Sequence, residues 1–146
     1  MVGVEQVCGI YTSAVEAAQK VNGKIIGFDI DQSAIISTNF GAKDMVVTSA
    51  MKGYAATVET VLSDIVAGNG WLYAGTMPNL GVVSYTNPKM NFVQLPWENT
   101  QWNASFTQSD YCELVRRISR GEIAVSDEIR YMPATAITVN AYGNIK

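Results

Sequence analysis

The chain has 146 residues, of which 48% are hydrophobic and 16% are charged, with a formal net charge of −3. The size is that of one globular domain; the charge argues against nucleic-acid binding, and no apolar run approaches the roughly 20 residues that span a bilayer. Because the sequence has no histidine, Ser-His-Asp catalysis, Cys-His catalysis and imidazole metal sites are excluded.

The first third of the chain is predicted to alternate between short strands and helices. Val4 to Cys8 predicts a first strand. The Ser-x-x-Glu spacing from Ser13 to Glu16 is that of a capping box, and it predicts a helix that ends near Val21. Ile25 to Phe28 and Met45 to Val47 are apolar runs that predict a second and a third strand.

The most regular helical pattern of the sequence follows Ser49, which is predicted to cap this helix. Its apolar residues recur at intervals of three and four and would form one stripe. The stripe consists of Met51, Tyr54, Ala55, Val58, Val61, Leu62, Ile65 and Val66.

The second half is predicted to contain two strands, a long irregular segment and a final helix. The strands are expected at Trp71 to Ala74 and at Val82 to Tyr85. Residues 87–106 carry four large aromatic side chains, which we expect to pack this segment against itself. A helix from about Ser109 to Arg120 follows, and Ala136 to Val139 predicts a last strand.

The alternation of strands and helices indicates an α/β fold. We expect an open, mostly parallel sheet flanked by helices, in a single unit over residues 1–146, because neither a repeat nor a low-complexity linker divides the chain. Cys8 and Cys112 match no metal-binding spacing, and we expect both to be small buried apolar residues.

Two carboxylates follow the second predicted strand, in the sequence Phe28-Asp29-Ile30-Asp31. Ligands of open α/β sheets bind at the carboxyl ends of the strands, so Asp29 and Asp31 are candidate ligand contacts. An ionised carboxylate only accepts hydrogen bonds, which suits sugar hydroxyls or a metal ion. The alternative is that one or both carboxylates cap nearby backbone N–H groups.

Two further candidates flank neighbouring predicted strands. Gly9 follows the first strand and would let a ligand approach the backbone closely, although an ordinary tight turn would also use glycine here. Lys52 is predicted in the first turn of a helix, where a cation opposes the helix dipole, and a residue that breaks a local preference is a candidate for function. The alternative for Lys52 is a solvated surface side chain. Asp29 and Lys52 together form an acceptor and a donor suited to a polar small molecule.

Four segments of the chain resemble, in the same order, the basic-membrane-protein family, which comprises the purine-nucleoside-binding lipoproteins that supply ABC transporters. The second segment is similar to the most typical motif of that family, an isoleucine-glycine-valine-aspartate run that ends in aspartate-glutamine. The third is similar to its threonine-serine-x-x-lysine segment. The resemblance covers roughly residues 4 to 129, and the four segments are residues 16–20, 26–33, 47–52 and 117–123.

The resemblance implies the C-terminal half of a two-lobed clamshell, the type I periplasmic-binding-protein fold, with a nucleoside held between the lobes. By this resemblance, Asp29 would accept hydrogen bonds from ribose hydroxyls, Lys52 would donate to the ribose or the base, and Gly9 would present its backbone. It implies no catalysis, no metal and no cofactor. It also implies an ABC permease as partner and a lipid-anchored location at the cell surface or in the periplasm.

The chain departs from the family in two respects. Its loop from Cys8 to Thr12 is poorer in glycine, and the family is about twice as long, so the first lobe, the signal and the lipid-anchor cysteine have no counterpart here. Met1 to Glu5 lack the basic residues of a signal peptide. Since half a clamshell exposes a sheet edge and a cleft face, we expect a homo-oligomer formed through one of them.

Three other interpretations stay open. The strand followed by Asp29 and Asp31 also resembles the haloacid-dehalogenase phosphatases, in which Asp29 would be the nucleophile, Asp31 the acid/base group and Mg²⁺ the bridge to phosphate. The later acidic pair of those phosphatases has no match after the predicted downstream strands. A flavin or nucleotide module of flavodoxin size and a simple α/β interaction domain are the remaining alternatives.

Overall fold

The computed structural model describes residues 2–4, 11–126, 128, 130–132, 134 and 136. Short 3₁₀ turns at Lys43–Met45, Gly70–Tyr73 and Pro88–Met90 connect the longer elements. The strands are β1 (Val2–Val4), β2 (Ile25–Asp29), β3 (Val46–Lys52) and β4 (Val93–Gln94). The helices are α1 (Tyr11–Lys20), α2 (Ser33–Phe40), α3 (Tyr54–Val66) and α4 (Gln108–Ser119).

The four strands form one small open sheet in the order β1-β2-β3-β4. β1, β2 and β3 run parallel, and β4 pairs antiparallel with the end of β3. The register places Gly27 beside Ser49 and Asp29 beside Met51. The predicted α/β class is therefore confirmed, and the sheet is mixed, with two parallel pairings and one antiparallel pairing.

One apolar cluster joins α1 and α2 to the sheet. Each fully buried valine or isoleucine side chain contributes about 1.5–3 kcal/mol of transfer free energy. The cluster therefore fixes the position of β2, whose last residue is Asp29. Its buried members are Val15 and Ala18 from α1, Ile25 from β2, Ile36 from α2, Val46 from β3, and Ala42.

β3 is longer than predicted, and this changes the positions of Ser49 and Lys52. Both residues belong to the strand, so the predicted helix cap at Ser49 and the placement of Lys52 in a first helical turn are wrong. Ser49 is fully buried, and its hydroxyl accepts from the backbone N–H of Gln32 at 3.2 Å. Gly53 lies between β3 and α3, and only glycine fits there, because a Cβ would lie 2.1 Å from the carbonyl oxygen of Asn91.

The two predicted strands between residues 71 and 85 are also wrong. Trp71 to Tyr73 belong to a 3₁₀ turn, and Val82 to Tyr85 are irregular. The backbone of residues 83 and 84 forms hydrogen bonds with the buried side-chain amide of Asn91. Its side-chain oxygen accepts from the backbone N–H groups of Val83 and Ser84 at 2.8 and 2.7 Å, and its side-chain nitrogen donates to the carbonyl of Ser84 at 2.9 Å.

Besides the start of α3, the helices differ from the predictions at two places, whereas the final helix agrees. Ser13 lies inside α1, which begins at Tyr11, so it does not cap this helix. α2 was not predicted at all. The final helix is confirmed within one residue at each end as α4, and Thr107 caps it. Within the described residues no helix is long and apolar enough to cross a membrane.

Two sequence predictions fall partly or wholly on residues that the structure does not describe. The predicted first strand was Val4 to Cys8, whereas the observed β1 is Val2–Val4 and residues 5–8 lie outside the described residues. Of the predicted strand Ala136 to Val139, only residue 136 is described.

Candidate functional site

Asp29 and Lys52 end the neighbouring parallel strands β2 and β3, and the structure brings their charges together. The Nζ atom of Lys52 lies 3.0 Å from Oδ1 of Asp29. The carboxylate is 19% exposed and the ammonium-bearing side chain 52% exposed. An exposed pair of this kind adds little to stability, so its position at the strand ends is more informative about binding than about folding.

Tyr54 completes the cluster, and the sequence analysis did not assign it a role. It is the first residue of α3, and its hydroxyl donates to Oδ1 of Asp29 at 2.5 Å. The aromatic ring of Phe28 lies 5.3 Å from Nζ of Lys52, which is a cation–π distance. The sequence indicates a role for Tyr54 only through its position, because it follows Lys52 by two residues, across Gly53.

The three polar groups of the cluster shift one another's pKa values. The hydrogen bond from Tyr54, and then the one from Lys52, lower the pKa of Asp29 below its ordinary value. The same carboxylate raises the pKa of Lys52 and the pKa of Tyr54. At neutral pH the site therefore holds a carboxylate, an ammonium group and a neutral phenol.

The backbone of Asp29 is in the left-handed region, with φ of +75°. Residues with side chains rarely adopt this conformation, although aspartate does so more readily than most, and such strain is concentrated at functional sites. A tight turn, in which the N–H of Ile30 donates to the carbonyl of Phe28 at 2.9 Å, accompanies it. Among the described residues both contacts of the carboxylate fall on Oδ1, so Oδ2 is available to accept from a ligand.

Asp31 has a different role from Asp29. Its Oδ1 accepts from the backbone N–H of Ser33 at 3.0 Å, at the start of α2. Its Oδ2 accepts from the side-chain amide of Asn99 at 2.7 Å. Both oxygens are thus occupied by contacts within the chain, which is the capping alternative considered for this residue.

A buried layer beneath the strand ends supports Asp29. Gln32 is fully buried, and its side-chain oxygen accepts from the backbone N–H of Phe28 at 3.3 Å. Gly27 provides the space for this layer, because a Cβ there would lie 2.4 Å from Oγ of Ser49 and 3.1 Å from Cβ of Gln32. The glycine and the glutamine of the segment Gly27 to Ser33 therefore hold the strand end in place.

The other residues singled out in the sequence are Gly9, Cys8 and Cys112. Gly9 and Cys8 fall outside the described residues, so their predicted roles are not addressed by the structure. Cys112 is a free, half-buried thiol on α4. In the part of the chain that the structure describes, no group of three or more acidic, cysteine or histidine side chains is placed to hold a metal ion.

Comparisons with protein-family models, with curated proteins and with solved structures found no match to this chain.

Proposed function

We propose that this chain is a non-catalytic binding component for a purine nucleoside in an ABC-type uptake system. The observation that carries the proposal is the cluster of Asp29, Lys52 and Tyr54 at the carboxyl ends of two parallel strands. The resemblance of the segments around Asp29 and Lys52 to the basic-membrane-protein family supplies the ligand class. Both residues belong to the segments that carry this resemblance.

The chemistry of the cluster suits the vicinal hydroxyls of a ribose. Oδ2 of Asp29 accepts from the two hydroxyl protons, while Lys52 has three N–H donors and uses one of them on Asp29. A second donor of Lys52 reaches a hydroxyl oxygen or a ring nitrogen of the base. Tyr54 orients the carboxylate of Asp29 and lowers its pKa through a hydrogen bond.

The clamshell part of the proposal explains why the cluster is so open. Binding pockets usually bury 70–90% of a small ligand, and a half-exposed lysine beside an exposed tyrosine encloses a ligand from one side only. We assign the missing wall to a second lobe or to a second copy of this chain. An ABC permease as partner and an anchored position at the cell surface or in the periplasm belong to the same proposal.

Titration calorimetry with adenosine, guanosine and inosine tests the proposal. We expect saturable heat with at least one of them, and weaker binding of 2′-deoxyadenosine than of adenosine. Asp29→Asn should lower the affinity by about tenfold or more, because hydrogen bonds to charged groups contribute about 1.5–3 kcal/mol. Asp44→Asn, the same change at an exposed acidic residue, is the matched control. No heat with any nucleoside would contradict the proposal.

The phosphatase alternative has less support. It requires Asp31 as the acid/base group, whereas both oxygens of Asp31 accept hydrogen bonds from Ser33 and Asn99. Mg²⁺-dependent release of phosphate from p-nitrophenyl phosphate, lost in Asp29→Asn, would favour it over the receptor.

A further inference from the structure

A cavity of about 530 Å³ lies beside the end of β3, between the loop that contains Tyr85 and the segment that contains Trp97. Its volume is within the range of small-molecule sites, and most of its exposed lining is apolar. Cys112 of α4 contributes to the wall. Neither the sequence motifs nor the polar cluster at Asp29 account for this cavity.

The two aromatic side chains that line the cavity, Trp97 and Tyr85, each contact further side chains. The indole of Trp97 packs against Trp102 and Tyr111, with ring centroids 5.5 and 6.3 Å apart. The indole N–H of Trp102 also donates to the backbone carbonyl of Trp97 at 3.0 Å. On the other side, the guanidinium carbon of Arg120 lies 5.9 Å from the ring centroid of Tyr85. Because its neighbours restrict the ring of Trp97, this ring can contact a ligand at little cost in entropy.

The polar rim of the cavity is also ordered. The side-chain nitrogen of Gln94 donates to the carbonyl oxygens of Lys89 and Asn91 at 3.0 and 2.7 Å, and so ties the loop to β4. Lys89 and Glu98, both exposed, add a donor and an acceptor to the lining. Apolar aromatic walls with a few polar groups at the rim fit a planar ring with hydrogen-bonding edges.

We propose that this cavity binds the planar heteroaromatic ring of a small molecule. Met51 lines the cavity and is the sheet partner of Asp29, so one wall of the cavity belongs to the strand that neighbours Asp29. If the proposed function holds, on which this last step rests, the ring is the purine base of the nucleoside whose ribose contacts Asp29 and Lys52.

Protection of Cys112 from alkylation tests the cavity directly. In the full chain with Cys8→Ser, Cys112 is the only thiol, and its reaction with iodoacetamide is followed by mass spectrometry. Adenine at about ten times its dissociation constant should slow the reaction about tenfold, because only the unbound fraction reacts. Ribose should not slow it. Tyr85→Ala should weaken protection, and Tyr131→Ala, at an exposed tyrosine outside the cavity, should not.

The outcomes separate this proposal from the proposed function. If adenine leaves the alkylation rate unchanged, the cavity proposal is overturned, whatever adenosine does in the calorimeter. If adenosine gives binding heat but does not protect Cys112, the nucleoside proposal stands and the cavity proposal is wrong. If adenine protects and adenosine neither binds nor protects, the cavity takes aromatic rings from another ligand, and the nucleoside proposal is wrong.

Discussion

Asp29 shows which part of the site a sequence can predict. Its position after an apolar run was sufficient to predict a carboxylate at a strand end, and Lys52 was predicted at the neighbouring end. The role of Tyr54 could not be predicted, because it depends on β3 continuing to Lys52 and on α3 beginning after Gly53. Only glycine fits between the two elements, because the backbone of Asn91 approaches Gly53 closely, and local sequence patterns do not reveal such a long-range contact.

Tyr54→Phe should raise the pKa of Asp29 toward its ordinary value, because the hydrogen bond from Tyr54 is the largest cause of its lowering. A lowered carboxyl pKa stabilises the fold above the ordinary pKa of about 3.9, and this contribution is lost as the pH falls through the lowered value. At neutral pH the Tyr54→Phe variant should therefore have a lower free energy of unfolding than the parent. This difference should disappear as the pH falls through the lowered pKa of Asp29.

Carbon-13 NMR titration of the Asp29 carboxyl, together with thermal unfolding at several pH values, measures both effects. Tyr131→Phe, at an exposed tyrosine away from the cluster, is the control. An unchanged pKa of Asp29 in Tyr54→Phe would show that the phenol does not support the carboxylate.

Gly27→Ala should destabilise the fold by about 1–3 kcal/mol, the usual effect of overpacking a filled interior. The new methyl group would lie 2.4 Å from the buried hydroxyl of Ser49. Gly81→Ala is the matched control, because a methyl group there has no atom within 4 Å among its described surroundings. Urea unfolding compares the two, and equal midpoints would contradict the packing role of Gly27.

At the scale of elements, the sequence predicted a helix well where its apolar residues lie on one buried face and its polar residues on the other. α4 has apolar residues on one face and a polar opposite face, and it was found within one residue at each end. α2 was missed because its β-branched residues Ile35, Ile36 and Thr38 favour a strand locally, whereas burial of Ile36 against α1 and the sheet determines the helix.

Thr107→Ala should cost about 1 kcal/mol of stability, the usual effect of losing a helix cap. The Thr107 hydroxyl accepts from the backbone N–H of Asp110 at 3.2 Å, and the Asp110 carboxylate accepts in return from the N–H of Thr107 at 2.8 Å. Ser109→Ala, in the first turn of the same helix, is the control. Chemical denaturation followed by circular dichroism gives both values, and a Thr107→Ala midpoint equal to that of Ser109→Ala would count against the cap.

At the scale of the whole molecule, α3 presents an apolar face to solvent. Four apolar side chains at helical spacing are each more than half exposed, namely Tyr54, Val58, Leu62 and Ile65. The sequence predicted the helical spacing of these four residues, but it wrongly included Met51, which belongs to β3. It did not predict their exposure, because periodicity does not reveal whether another surface covers a helix. Tyr54 also contacts Asp29, so the stripe begins at the polar cluster.

The homo-oligomer is expected through a sheet edge or a cleft face, and the exposed stripe of α3 offers a further contact surface. Light scattering should give a mass above that of one chain. If the stripe is the contact, Leu62→Glu should shift this mass toward that of a monomer, because a buried unpaired charge is costly. Thr60→Glu is the control, since Thr60 is exposed on another side of α3. A monomeric parent chain at working concentration would overturn the expectation.

The packing of Trp97 against Trp102 gives the molecule an internal optical reporter. Trp97 and Trp102 are close enough for their transitions to couple, whereas Trp71, the third tryptophan, is 71% exposed. Near-ultraviolet circular dichroism should therefore report on the segment around the cavity, while red-shifted fluorescence should come mainly from Trp71. The two signals allow local loosening of the 97–111 region to be distinguished from global unfolding without any added label.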